Sequence, residues 1–439
     1  MRVLLLCALV SSLTAQTYSQ QDAKMLLLEV RKKQMLTLDR LPRYMCTETV
    51  DRSMFEPQVK VARRSCDDLT SLRKRKDWII RQYESDRLRL DVAISGNTEM
   101  YTWAGQDRFQ NQRLSKLVLG GVTATGEFKA FLDSIFGTSE AHFAYTGDLS
   151  VGGRSLVEFS FSVPLEQSSY RISKQLQSAV VAYDGTFLVD PKTFDLVRLT
   201  VHAFQLPEEL GCDITTTLDY RSLRLNNSEF LLPSAVHLHV VEADGAEAEN
   251  RTVFTGCHEF LGESTLRFDD DARTQPVTNQ QGSSTILPLP AGQQFRFALT
   301  RAIDPATAAA GDQVKATLTS PIKDKRGHVL VPKGAAVTGR IVQIMWRYGS
   351  QSESLTLALK LETVEADGVP RAFDTRMEST IKTHTNSIDF SAVRQTLGSF
   401  DQMLAQADPA IGFLEFPNVT RDYVIDRGLE IQAMTADPR

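Results

Sequence analysis

The stretch Thr186–Val201, TFLVDPKTFDLVRLTV, sets two apolar runs on either side of Asp-Pro-Lys-Thr. Pro191 fixes φ at the value needed in the second position of a type I turn, and Asp190 before it offers a carboxylate to a nearby backbone N–H. The flanking runs then read as the two arms of a hairpin. A phosphate-accepting aspartate in the same place would need a nucleotide-binding domain and a magnesium site. The sequence has no phosphate-binding glycine loop, so the motif reads as a turn that marks a fold.

Outward from this hairpin the period stays at two. Leu88, Leu90, Val92 and Ile94 alternate with Arg, Asp and Ala; Val157, Phe159, Phe161 and Val163 alternate with Glu and Ser; Ile214, Thr216, Leu218 and Tyr220 repeat the pattern. Half-buried antiparallel strands are predicted throughout. Two helices are predicted as well. One runs from Gln20 to about Arg40, with Met25, Leu28, Met35 and Leu38 on its apolar face, and is stopped by Leu41-Pro42. The other spans Glu127 to Phe136, with Thr125 as N-cap and Phe128, Phe131, Leu132 and Ile135 on one face.

Asp269–Gly292 has no apolar period and is rich in Asp, Gln, Ser, Gly and Pro. It is read as a linker over 269–288, between a first domain at 16–268 and a second at 289–439. In the second, alternation resumes at Phe295–Leu299, Val314–Leu318, Val337–Ile341 and Leu355–Leu361, with a last strand near Leu429–Met434. Pro290-Ala291-Gly292 and Pro332-Lys333-Gly334 supply corners, and Gly339 on the inward parity suits a tight bend of a small barrel. A helical insertion is expected near 389–406. The fold class is therefore mainly β with a few helices (α+β): a curved antiparallel half-barrel followed by a smaller β-barrel.

The 439 residues carry 42% hydrophobic and 23% charged side chains and a formal net charge of −5. That is the balance of a globular protein with no overall attraction to nucleic acid or anionic lipid. The N-terminus, MRVLLLCALVSSLTAQ, combines Arg2, an apolar run and a small-residue exit at Ala15. It reads as a signal peptide over 1–15, which places the mature chain in the periplasm or outside the cell with no transmembrane segment after cleavage. Removal of Cys7 leaves Cys46, Cys66, Cys212 and Cys257, an even set in an oxidising compartment. Three pairings are open, and the shortest loops favour Cys46 with Cys66 and Cys212 with Cys257.

Signatures of catalysis are missing from the sequence: no Gly-x-Ser-x-Gly elbow, no His-Glu-x-x-His, no dinucleotide fingerprint. His237-x-His239, with Cys257-His258-Glu259 beyond it, is the best metal candidate. Strand parity nevertheless leaves both histidines on the wetter face opposite Val236, Leu238 and Val240, so no metal and no cofactor is assigned. The basic run Arg73–Lys76 follows Asp67-Asp68, which matches the dipole of a short solvated helix.

Three stretches, LPRYMCTETVDR (Leu41–Arg52), YTWAGQDRF with TGEFKAFLDSIFG (Tyr101–Gly137), and FLVDPKTFDLVRLTV (Phe187–Val201), together resemble a family of exported acidobacterial proteins. The middle of the chain also resembles the outer-membrane lipoprotein-sorting superfamily of lipoprotein carriers, which implies a half-barrel with an apolar concavity for acyl chains. Leu289–Val342 is similar to the C-terminal β-barrel of conjugative-transfer channel proteins. These likenesses imply a non-enzymatic envelope binding protein holding a lipid or lipoprotein acyl chain, with an envelope protein as a further partner. The alternative is a structural component of an envelope assembly. Trp78, Trp103, Phe159 and Phe161 are the candidate lining residues, with filled core as the competing reading for each.

Overall fold

The computed structural model describes residues 18–437 apart from 59–64, 97, 107–108, 110–113, 138–140, 175–176, 205, 260–286, 288, 351 and 378–407. The expected signal peptide, the expected linker except Leu287, and the expected helical insertion at 389–406 lie outside the described residues.

The first part of the chain comprises α1 (Gln20–Arg40), β1 (Tyr44–Pro57), α2 (Cys66–Arg73), β2 (Ile80–Ser95), β3 (Thr98–Trp103), α3 (Leu114–Leu117) and α4 (Ala130–Phe136). There follow β4 (His142–Val151), β5 (Arg154–Val163), the small hairpin β6 (Arg171–Lys174) and β7 (Gln177–Val180), then β8 (Ala182–Val189), β9 (Leu196–Phe204), β10 (Asp213–Leu225), β11 (Ser228–Val241) and β12 (Glu247–Glu259). Apart from β6 and β7, the strands form one antiparallel ladder in the order β3-β2-β1-β12-β11-β10-β9-β8-β5-β4. A single core takes in α1, α4 and inward side chains from strands at both ends of this ladder, from Trp103 on β3 to Phe161 on β5. Only a strongly curved sheet brings its two ends to the same helices.

The Asp190 turn joins β8 to β9 as the sequence predicts. The Lys192 N–H donates to Asp190 Oδ1 at 2.9 Å, and Asp190 and Phe194 close the loop through backbone bonds of 2.9 and 2.8 Å. Phe194 takes a φ of 61° to complete it. Helix α1 begins with Ser19 accepting from the Asp22 N–H, but its buried face is Ala23, Leu26, Val30, Gln34 and Leu38. Met25 and Leu28, expected to face the core, are exposed. The run MLLL supplies apolar groups to two faces of one helix, and packing against the sheet selects the face that Val30 continues. Helix α4 starts at Ala130, after Thr125, and Lys129 at its N-cap makes no side-chain capping bond. Glu99 on β3 instead accepts from the Gly126 and Phe128 N–H groups just ahead of it.

The two disulfides are Cys46–Cys257 and Cys66–Cys212. The short-loop pairings expected from the sequence are overturned, because β1 and β12 are sheet neighbours although 211 residues separate their cysteines. The second bridge ties the N-terminus of α2 to the start of β10. Each closes a long loop in the unfolded chain, an effect typically worth about 2–4 kcal/mol.

The second part comprises β13 (Gln294–Leu299), β14 (Gln313–Leu318), β15 (Ile322–Lys323), β16 (Val329–Val331), β17 (Ala336–Tyr348), β18 (Glu353–Ala366), β19 (Val369–Ala372), β20 (Thr375–Met377), β21 (Ile411–Pro417) and β22 (Glu430–Thr435). Its ladder runs β21-β18-β17-β14-β13-β22-β20. The ring comes near closure where the Met377 N–H donates to the Pro409 carbonyl at 3.4 Å, but β20 and β21 share no ladder. Gly339 sits where a Cβ would come within 2.6 Å of the Lys360 carbonyl, so the bend between β17 and β18 needs glycine.

The two parts share a seam. β17 pairs antiparallel with β2 through Met345–Asp86, Trp346–Ser85 and Arg347–Glu84, and Ser85 Oγ lies 2.7 Å from the Tyr348 hydroxyl. Ala310 adds two backbone bonds to the next stretch of β2, with the Arg87 carbonyl and the Arg89 N–H. Gly311 beside it packs so closely that a Cβ would lie 2.0 Å from the Arg89 carbonyl oxygen. From the other side Arg340 donates to the Ala104 carbonyl at 2.9 Å.

Candidate functional site

The inward face of β1 carries Tyr44, Cys46, Glu48, Val50, Arg52 and Met54, so strict alternation drives one acid and one base into the core of the curved sheet. The two are treated differently. Arg52 meets Asp86 directly across β1 and β2, donating Nε to Asp86 Oδ1 at 2.7 Å and Nη2 to Oδ2, and it donates Nη1 to the Gly120 carbonyl at 2.7 Å. A buried cation is thereby matched by a bidentate carboxylate and a carbonyl.

Glu48 receives no such match. It lies between Leu90 on β2 and Phe254 on β12, only 3% exposed, and its Oε2 has no hydrogen-bond partner. Opposite stands Glu127, 2% exposed, whose Oε2 is equally unpartnered. Glu127 is carried by the short segment that Glu99 fastens ahead of α4; the Tyr101 hydroxyl donates to that same Glu99 carboxylate at 2.7 Å. Both acids line a cleft of about 10 Å³, roughly the space of one water. Its walls include Val50, Leu88, Leu90 and Leu238, with Asn250 and Thr252 of β12 as further polar lining. Asn250 Nδ2 also donates to the Val122 carbonyl at 2.9 Å, which fixes the loop that covers the cleft.

This environment changes the acids. Burial, with repulsion from Glu99 added, pushes the Glu48 carboxyl up to about 8. Burial and then the charges of Glu48 and Glu99 hold the Glu127 carboxyl well above the usual range. Both groups therefore hold their protons to higher pH than an exposed carboxyl does. The Tyr44 and Tyr220 hydroxyls, buried nearby and without partners, are also pushed up by burial.

Trp78, Trp103, Phe159 and Phe161 do not converge on this cleft. Phe159 and Phe161 belong to a packed aromatic cluster with Phe187, at centroid distances of 5.3 and 6.3 Å, which Phe136 of α4 completes. Trp103 lies against Gly311 in the seam, and Trp78 packs on Gly245 and Leu69. Alternation identifies buried parity without separating a lining from a filled core, and here the inward aromatics are core. Glu48 and Glu127 were not singled out in the sequence. The signal that reveals Glu48 is its parity with Tyr44, Cys46 and Val50; Glu127 has no comparable mark, since a loop places it.

The histidines of β11 are half-buried on the opposite face. His239 Nε2 lies 2.7 Å from Glu247 Oε2, and His237 Nε2 lies 3.7 Å from Glu249. The bond to Glu247 raises the pKa of His239 against its partial burial. Cys257 is committed to a disulfide, and no group of three or more metal-ligating side chains occurs among the described residues. The basic run after α2 is a solvated helix end, with Arg73 on Glu247 and Arg75 on Asp77. No helix among the described residues is long and apolar enough to cross a membrane.

A second cleft, about 350 Å³, opens on the surface between α1, the β8–β9 turn and the start of β11. Leu36, Phe194 and Phe230 form its apolar part, and Lys32, Lys33 and Arg40 its basic part.

No protein-family model matches the sequence, and no curated protein matches it at a significant level. Among solved structures the chain is similar to a domain named for outer-membrane lipoprotein sorting from Vibrio parahaemolyticus, at 9% identity and a TM-score of 0.27 over 55% of this chain and 94% of that one. A DUF1329 family protein from Desulfovibrio piger gives the same four values. A LolA-superfamily protein from Nitrosomonas europaea is similar at 9% identity and a TM-score of 0.25, over 53% of this chain and 92% of that one.

Proposed function

We propose that the protein is an exported, non-enzymatic binding protein of the cell envelope, whose curved N-terminal sheet (16–268) holds an apolar ligand such as a lipid or a lipoprotein acyl chain. The observation that supports this best is a pair of buried carboxyls, each with an unpartnered oxygen, in a largely apolar concave face. Each unsatisfied buried polar group costs about 1–3 kcal/mol, which packing alone does not require. A ligand that reaches the cleft offsets that cost. The cleft has room for the small terminal group of such a ligand. The second part (289–439) serves in this reading as the docking module toward an envelope partner. Its likeness to the conjugative-transfer barrel over Leu289–Val342 belongs to the same proposal.

Native mass spectrometry of the full chain purified from its own host tests the proposal. A co-purifying apolar species that organic solvent extracts, and that a bulky polar change at Leu90 excludes, is the expected result. A ligand-free protein that also takes up no lipid from vesicles overturns it and favours a structural role in an envelope assembly.

A further inference from the structure

The geometry points to a primary ammonium group, carried on an alkyl chain, as the ligand group that Glu48 and Glu127 receive. This rests on the reading that the concave face takes a ligand, and names the chemistry of its polar end.

Four observations converge on that chemistry. Each of the two acids lining the cleft has a buried, unpartnered Oε2, so an occupant that brings hydrogen-bond donors offsets their desolvation. A carboxylate or phosphate would add negative charge beside Glu99, whose charge adds to burial in raising both acids, and is disfavoured. The free space, about 10 Å³, fits a group the size of water; an ammonium fits, whereas a guanidinium or a trimethylammonium is too large. A divalent cation such as calcium needs about six or more oxygen ligands, and no cluster of metal-ligating side chains occurs among the described residues.

An ammonium has three N–H donors. Glu48 and Glu127 take two, and Asn250 and Thr252, lining the same cleft, stand ready for the third. Val50, Leu88 and Leu90 form the apolar wall beside that group. Burial shifts both acids toward the protonated form in the free protein. A cation placed between them favours the charged forms, so binding expels protons to solvent. Arg52, on the same inward face, does not compete, because Asp86 and the Gly120 carbonyl already hold it.

Isothermal titration of the full chain with dodecylamine, dodecyltrimethylammonium and dodecanol, each below its micelle concentration, tests the inference, with butylamine as a soluble amine. The expected result is binding of dodecylamine about tenfold or more tighter than the other two dodecyl probes. Proton release, read from the dependence of the heat on buffer ionisation, should accompany it. Glu48→Gln with Glu127→Gln should abolish both the preference and the release. If the double variant fails to fold, the probe series on the unaltered protein carries the test alone. Equal binding of the three dodecyl probes overturns the ammonium inference and leaves the apolar-ligand reading intact. Binding by none of the probes overturns both. Butylamine binding as tightly as dodecylamine supports the ammonium site but assigns it to a soluble amine, against the apolar-ligand reading.

Discussion

Arg52 and Asp86 face each other across β1 and β2 with both side chains 1% exposed, and the guanidinium meets the carboxylate through two parallel hydrogen bonds. One strand position earlier on the same inward face of β1 is Val50, and beyond it Glu48, an acid with no such partner. The contrast lies within one strand: a buried base whose charge is matched by a carboxylate, and a buried acid with an unpartnered oxygen.

Removal of one member of the Arg52–Asp86 pair strands the other in the core. Arg52→Ala is expected to destabilise the protein by about 3–5 kcal/mol, and the double change Arg52→Met with Asp86→Leu to recover most of that loss. Urea denaturation of the two variants beside the unaltered protein measures both. A single variant with unchanged midpoint contradicts the burial of the pair.

The buried acids give stability a distinctive pH profile. The carboxyl of Glu48 has a folded pKa of about 8, above the ordinary value of 4.5, and that of Glu127 is raised in the same direction. The folded state therefore binds more protons than the unfolded state between these limits, and stability falls as pH rises from about 4.5 through 8. A loss of at least about 1.4 kcal/mol, one pKa unit, is expected between pH 5 and pH 8. Glu99 is the ionisable group that acts on both acids; on top of burial, they in turn raise the Tyr101 hydroxyl, and Glu127 raises that of Tyr220. His239, raised by Glu247, adds a smaller loss of the same sign, whereas Asp190 and Glu247, held low, lose their contribution only in acid. Denaturation midpoints across pH for Glu48→Gln should show a flatter slope than those of the unaltered protein.

Gly311 admits no side chain: its φ is 105°, and a Cβ would meet the Arg89 carbonyl. Gly311→Ala should cost more than the roughly 1 kcal/mol typical of a tolerated glycine change. The damage should be local to the seam. Calorimetry is expected to resolve one transition into two as β2 and β17 uncouple, and a single unshifted transition would speak against the seam.

Proteolysis without reduction should yield two linked peptide pairs, one containing Cys46 and Cys257, the other Cys66 and Cys212. Linkage of Cys46 to Cys66 would require β1 and β12 to lie apart. Reduction should lower the urea midpoint, with about 2–4 kcal/mol lost per bridge.

Local chemistry was enough to specify much of this molecule. Pro191 and Asp190 determine a turn whatever surrounds them, and alternation at Leu88–Ile94, Val157–Val163 and Ile214–Tyr220 determines strands, because dihedral preference and parity are properties of neighbouring residues. The length and the polarity of α1 followed from its sequence in the same way. Which of its two apolar faces is buried did not, since Met25 and Leu26 are equally suited to a core and only the sheet decides between them. Contacts between distant strands were decided by the tertiary structure alone: the pairing of β1 with β12 that sets the disulfides, the approach of Gly311 to Arg89, and the meeting of Glu48 with Glu127. The physical reason is common to all three. Desolvation, which raises the carboxyls of Glu48 and Glu127, depends on what a curved sheet brings together, and strand parity alone does not record that.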